Sequence, residues 1–135
     1  MISGIHLQPD MKKAFEEMGY SEMTEIQQKA IPLIQQGKDV IGQSQTGSGK
    51  TAAFGFPILE KISHNAGLQV LILVPTRELC EQVSTEMRKF AKYKKMNIYA
   101  IYGGVSINPQ FGMIRQADIV VGTPGRILDH LERGT

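Results

Sequence analysis

The residues best suited to chemistry are Ser44, Gln45, Thr46, Gly47, Ser48, Gly49, Lys50 and Thr51, whose order fits a loop wrapped around a triphosphate. Gly47 and Gly49 permit backbone conformations closed to other residues, so successive N–H groups from Thr46 to Gly49 can turn inward on phosphate oxygens. Lys50 adds a positive charge, and Thr51 a hydroxyl suited to Mg²⁺. The pattern is G-x-x-x-x-G-K-[ST], with Ser44 at the first glycine position. Before it, Val40, Ile41 and Gly42 read as a buried strand; after it, residues 51–56 read as the start of a helix. A flexible polar turn would share the composition, but strand, glycine-rich turn and helix is the phosphate-binding order.

The flanking elements follow from periodicity. Residues 9–18 place Met11, Ala14, Phe15 and Met18 on one helical stripe, with Pro9 near the start and Gly19 past the end. Thr24 and Gln27 have capping-box spacing, which predicts a helix from Thr24 to Gly37, perturbed at Pro32. Residues 69–74 form an unbroken apolar run, expected to be a strand buried on both faces. Residues 77–92 read as a helix, 97–102 as a strand, 118–121 as a strand and 124–132 as a helix, with a short helix in the looser segment around Pro109. This alternation predicts an α/β fold with a mostly parallel sheet and helices on its faces. Ligands in such sheets bind beyond the carboxyl ends of the strands. The phosphate loop, Pro75-Thr76-Arg77-Glu78, Gly103-Gly104 and Thr123-Pro124-Gly125-Arg126 each follow a predicted strand, so they are expected to share one rim.

Taken with Gly19, Tyr20 and Gln27, these rim elements resemble the first RecA-like domain of the DEAD-box RNA helicases. Gly19-Tyr20 followed by Thr24-Glu25-Ile26-Gln27 is similar to the Q motif, and SQTGSGKT to motif I. PTREL is similar to motif Ia, Gly103-Gly104 to the intervening glycine pair, and TPGR to motif Ib. The order matches from end to end.

The resemblance implies a RecA-like three-layer fold, ATP and Mg²⁺ as cofactors, and RNA as the partner. It divides the chain into a Q-motif helical region, 1–37, and an incomplete first RecA-like domain, 38–135. Gln27, whose amide both donates and accepts, would read adenine, with Tyr20 on the base face and Glu22 nearby. The same glutamine also suits the capping box, and the two roles are compatible. Ser44 to Gly49 would cradle phosphate, with Lys50 and Thr51 as the catalytic pair. Pro75, Thr76, Arg77, Gly103, Gly104, Thr123, Pro124, Gly125 and Arg126 would hold the sugar-phosphate backbone of single-stranded or duplex RNA. Helix starts favour anions, and arginine grips phosphate with a forked head, so binding would be largely indifferent to base sequence. Ile2 stands where the family usually has an aromatic residue.

The family pattern also requires an acidic DEAD motif, an SAT motif and a second RecA-like domain. None occurs within these 135 residues. The expectation is therefore an ATP- and RNA-binding portion that is catalytically incompetent alone, with an exposed apolar sheet edge that favours self-association. From the residues alone, two other classes stay open: a non-catalytic nucleotide- or RNA-binding module, and a P-loop ATPase of another kind.

The balance of the chain excludes little more. A net charge of +2 neither requires nor forbids a polyanionic partner, and 41% hydrophobic residues suffice for a core. A single cysteine, Cys80, cannot form an internal disulfide, and no run suits a signal peptide or membrane span, so a cytoplasmic, non-membrane setting is expected. His6, His64 and His130 lack visible partners, and no metal-ligand spacing is present. The basic run Arg88 to Lys95 reads as a solvated helix end, and Cys80 as a buried thiol.

Overall fold

The computed structural model describes residues 4–45 and 49–135, and it divides into two compact units. One comprises Met1–Ile62 with Lys89–Lys94, the other Ser63–Arg88 with Lys95–Thr135.

The first unit is helical. Helix α1 (Pro9–Glu17) starts on Pro9, whose missing N–H is no loss in a first turn, and buries Met11, Ala14 and Phe15. Helix α2 (Glu25–Gln35) opens on the predicted capping box and continues through Pro32. Helix α3 (Lys50–Lys61) follows the glycine loop and buries Phe56 and Leu59. An aromatic row forms the centre: the Phe15 and Phe56 rings lie 5.5 Å apart edge to face, and Phe56 and Phe90 lie 4.5 Å apart. Lysine stems tie down the helix ends. The Lys94 ammonium donates to the carbonyls of Leu59 and Glu60, that of Lys61 to Ile34, and that of Lys92 to the Glu17 carboxylate at 3.0 Å. The basic run is thus not simply solvated, because Lys94 occupies the open carbonyl end of α3.

The second unit holds a three-stranded parallel sheet in the order β1-β3-β2, with β1 Val70–Leu73, β2 Ile98–Ile101 and β3 Ile119–Gly122. Ile119, Val120 and Val121 are buried because β3 has a ladder on each side. Helices α4 (Arg77–Phe90), α5 (Asn108–Gln116) and α6 (Pro124–Arg133) alternate with the strands, as expected. Ile101, Ala117, Val120 and Ile127 form the core beneath α5 and α6.

Two strand expectations need correction. Val40, Ile41 and Gly42 are not a strand: among the described residues no strand lies beside them to complete a ladder, and Ile41 is 95% exposed. Residues 69–74 are not buried on both faces either. In β1, Leu71 and Leu73 are 47% and 56% exposed, since among the described residues β1 is an edge strand laddered only to β3. An apolar run reports the capacity to be buried from both sides, not the presence of neighbours.

His64 also has a partner that spacing could not reveal. Asp118, at the foot of β3, accepts from the backbone N–H of Asn97 at 2.8 Å, from that of Asn65 at 2.9 Å and from His64 Nδ1 at 2.9 Å. Its own carbonyl accepts from Gln69 and Val70. One buried residue therefore gathers the starts of β1 and β2 around β3, β2 through its carboxylate and β1 through its carbonyl. Burial pushes its pKa up, but the hydrogen bonds from Asn97, His64 and Asn65 outweigh burial and hold it below the ordinary carboxylate value.

A carboxyl whose folded pKa is depressed adds stability above its unfolded value, and that stability is lost as pH falls through the folded value. Asp118→Ala is expected to lower unfolding free energy at pH 7 by about 3 kcal/mol, because it orphans several donors at once. It should also flatten the loss of stability below about pH 4. Urea titrations at pH 7 and pH 3 measure both; an unchanged acid limb in the variant would show that Asp118 is not the responsible carboxylate.

Candidate functional site

In the first unit, the glycine loop meets α3 at Gly49, which adopts the left-handed region with φ +88°. Glycine is required here twice over, by that φ and by space: a Cβ would collide with the side-chain amide of Gln27. Gly49, the N-cap of α3, supplies no side-chain cap, and the first turn carries the positive end of the helix dipole. Lys50 folds back and donates from Nζ to the carbonyl of Ser44 at 2.7 Å. That neutral carbonyl is a weaker partner for an ammonium than a phosphate oxygen would be. Thr51 lies half-buried in the first turn of α3. Thr46, Gly47 and Ser48 lie outside the described residues, as does Ile2.

Gln27 is 2% exposed and both ends of its amide are engaged. Its Oε1 accepts from the Thr24 N–H at 3.0 Å, completing the capping box, and its Nε2 donates to the Gly49 carbonyl at 3.3 Å. The buried amide thus joins the start of α2 to the start of α3. Tyr20 is half-buried against Phe15, ring centroids 5.1 Å apart, and Glu22 is exposed. A cleft of about 430 Å³ opens beside this junction, lined by Thr24, Glu25, Ile26, Lys29, Gln43, Ser44 and Gln45. Gln45 and Ser44 thus border a space bounded on the other side by the first turns of α2.

In the second unit the structure brings together three sequence-predicted elements. Arg77 lies over the Tyr102 ring, 4.8 Å from its centroid, and the Gly104 position, with φ +80°, faces the Arg77 guanidinium. The Gly103 position faces Arg126, whose Nη2 donates to the Val105 carbonyl at 3.0 Å. Two arginines thus flank the glycine pair. Pro75, Thr76, Pro124 and Gly125 are exposed and Thr123 half-buried around it.

The two helix starts differ, although their sequences look alike. Thr76 caps α4 by accepting from the Leu79 N–H at 3.1 Å, whereas Thr123 makes no side-chain cap on α6. The start of α6 is the one left open to an anion.

One functional candidate escaped the sequence reading. Gln110, 4% exposed on α5, accepts at Oε1 from Arg126 Nη1 at 3.0 Å and meets His130 Nε2 at 2.9 Å. Its Nε2 donates to the Tyr102 carbonyl at 3.0 Å. Because Gln110 Oε1 can only accept, His130 carries its proton on Nε2, leaving Nδ1 buried without a partner among the described residues. Burial and the Arg126 charge push the His130 pKa down, which keeps the ring neutral. The only clue to Gln110 in the chain was a polar residue inside a short helix with few apolar ones. Cys80 is a buried thiol donating to the Val121 carbonyl at 2.9 Å, and burial raises its pKa. Among the described residues no cluster of His, Cys, Asp and Glu could hold a metal ion alone, and no helix is long and apolar enough to cross a membrane.

Residues 24–135 match the family model described as DEAD/DEAH box helicase. A DEAD-box ATP-dependent RNA helicase CshA of Geobacillus kaustophilus (strain HTA426) is 51% identical over 131 residues, covering 96% of this chain and 28% of that protein. The CshA of Bacillus subtilis (strain 168) is 48% identical over 132 residues, 96% of this chain and 27% of its own length. The chain therefore spans about a quarter of the curated relatives it matches. Among solved structures, a DEAD box protein from the hyperthermophile Methanococcus jannaschii superposes with a TM-score of 0.93 at 43% identity, covering 97% of this chain and 36% of that one. A hypothetical ATP-dependent RNA helicase from Sulfolobus tokodaii gives 0.86 at 43% identity, covering 95% and 37%. These likenesses establish the RecA-like α/β fold.

The Gly49 geometry has a direct consequence for stability. Gly49→Ala forces a side chain into the left-handed region and against Gln27, and is expected to lower unfolding free energy by about 1–3 kcal/mol. Amide hydrogen exchange should rise in the first turns of both α2 and α3. Faster exchange in α3 alone would mean that the Gln27 bridge does not couple them.

Proposed function

This chain belongs to the DEAD/DEAH box helicase family, and on that premise we propose that it is the ATP- and RNA-binding portion of a cytoplasmic ATP-dependent RNA helicase. Residues 1–37 serve as the Q-motif region and 38–135 as part of the first RecA-like domain. The observation that carries the reading is the junction at Gly49: a helix start with no side-chain cap, a lysine bonded to the Ser44 carbonyl, and a buried glutamine amide bonded to the same glycine.

On this reading Lys50 leaves the Ser44 carbonyl for the β- and γ-phosphates, and the amides from Ser44 to Gly49, with Gln45 and Ser48, wrap them. Thr51 offers Mg²⁺ one hydroxyl, which suits an ion that takes most of its oxygens from phosphate and water. When bound, ATP and Mg²⁺ supply the transferable phosphoryl group and its charge neutralisation. Gln27 exchanges a backbone partner for the adenine edge, with Tyr20 and Glu22 bordering the base. Pro75, Thr76, Arg77, Gly103, Gly104, Thr123, Pro124, Gly125 and Arg126 bind the RNA backbone in the second unit. The exposed Leu71 and Leu73 support a further apolar contact on β1, including one with a second copy.

Equilibrium binding of fluorescent ATP and GTP analogues separates the parts of this reading. Lys50→Ala is expected to weaken both nucleotides by at least about tenfold, and Gln27→Ala to weaken ATP more than GTP. For fluorescein-labelled oligouridylate, Arg77→Ala and Arg126→Ala should each cost about three- to tenfold and reduce the salt dependence by about one charge. Undiminished nucleotide affinity in K50A would refute the nucleotide assignment, and undiminished RNA affinity in both arginine variants would refute the RNA assignment.

A further inference from the structure

We propose that Gln110 is a positioning residue for the RNA contact made by Arg126, holding the guanidinium and the glycine pair in one fixed arrangement before RNA arrives. The proposal rests on the RNA reading of Arg126 given above and extends it to a residue that itself touches no RNA.

Three observations carry it. The buried side chain of α5 is a polar amide rather than an apolar group, and a buried amide is retained only where its hydrogen bonds are met. Each end of that amide has a definite partner: Oε1 receives Arg126 Nη1 and His130 Nε2, while Nε2 donates to the Tyr102 carbonyl immediately before Gly103. Only a primary amide offers an acceptor and a donor at that spacing; a carboxylate would oppose the Tyr102 carbonyl, and a leucine would leave all three groups unpaired. Finally, Arg126 is held at both Nη atoms, by Gln110 and by the Val105 carbonyl, so its fork is fixed in plane while its remaining N–H groups stay available to phosphate oxygens. A side chain ordered in advance loses less freedom on binding.

If Gln110 acts through Arg126, its removal must matter only while Arg126 is present. Oligouridylate affinity of the whole chain, followed by fluorescence anisotropy, is to be compared for wild type, Gln110→Leu, Arg126→Ala and the double variant. The expected result is about a fivefold loss for Q110L alone and no further loss when Q110L is added to R126A. Equal losses in both backgrounds would reduce Gln110 to a general structural role and overturn the proposal. Unchanged affinity in R126A would instead remove the RNA reading of Arg126, and the proposal with it. A measurement on the wild-type chain guards against misfolding of Q110L: the Arg126 Nη–H signals in nitrogen-15 NMR should be resolved by restricted rotation about Cζ–Nη, whereas one averaged signal would refute the fixed fork.

Discussion

A buried side-chain amide must satisfy both its donor and its acceptor, and in each unit of this protein one such amide fixes a glycine turn to the start of a helix. Gln27 closes its own capping box and holds the Gly49 carbonyl. Gln110 holds the Tyr102 carbonyl ahead of Gly103 and receives Arg126. Glycine turns are entropically loose, and a loop that must receive a charged ligand cannot be held by apolar packing over the binding face. In each case the amide reaches the turn from a neighbouring helix and bonds one of its carbonyls. In the second unit the placement of Arg126 beside the glycine pair rests on that constraint.

Asp118 applies the same logic to the sheet. A carboxylate can only accept, so it suits a place where several N–H groups converge, and the feet of three parallel strands are such a place. Here the N–H groups of Asn97 and Asn65 and the His64 ring all turn toward it. Ordinary burial would favour the neutral acid, but the number of donors reverses the balance.

Much of this was legible in the chain because local rules act there with little competition. Pro9, the Thr24–Gln27 box and the glycine run before Lys50 announce helix starts by their own chemistry, and they appear where expected. The order of strands and helices in the second unit was equally readable. Exposure was not: Val40 and Ile41 have strand-like residue types, but a strand requires a neighbour, and a neighbour is a property of three-dimensional arrangement. Gln110 and the His64–Asp118 pair were invisible for a related reason. Their partners lie 16, 20 and 54 residues away, beyond any helical or strand period.

The two arginines flanking the glycine pair show what the arrangement adds to residue type. Arg77 sets its charge over the Tyr102 ring, 4.8 Å from the centroid. Arg126 is held by its edge, through hydrogen bonds at both Nη atoms, which fix direction but consume part of its donor set. Sequence alone presents two equivalent helix starts, Thr76-Arg77 and Thr123-Pro124-Gly125-Arg126. The structure separates them: Thr76 satisfies one N–H at the start of α4, while Thr123 makes no such cap on α6. The arginine hydrogen-bonded at both Nη atoms therefore stands on the helix whose start takes no cap from its threonine.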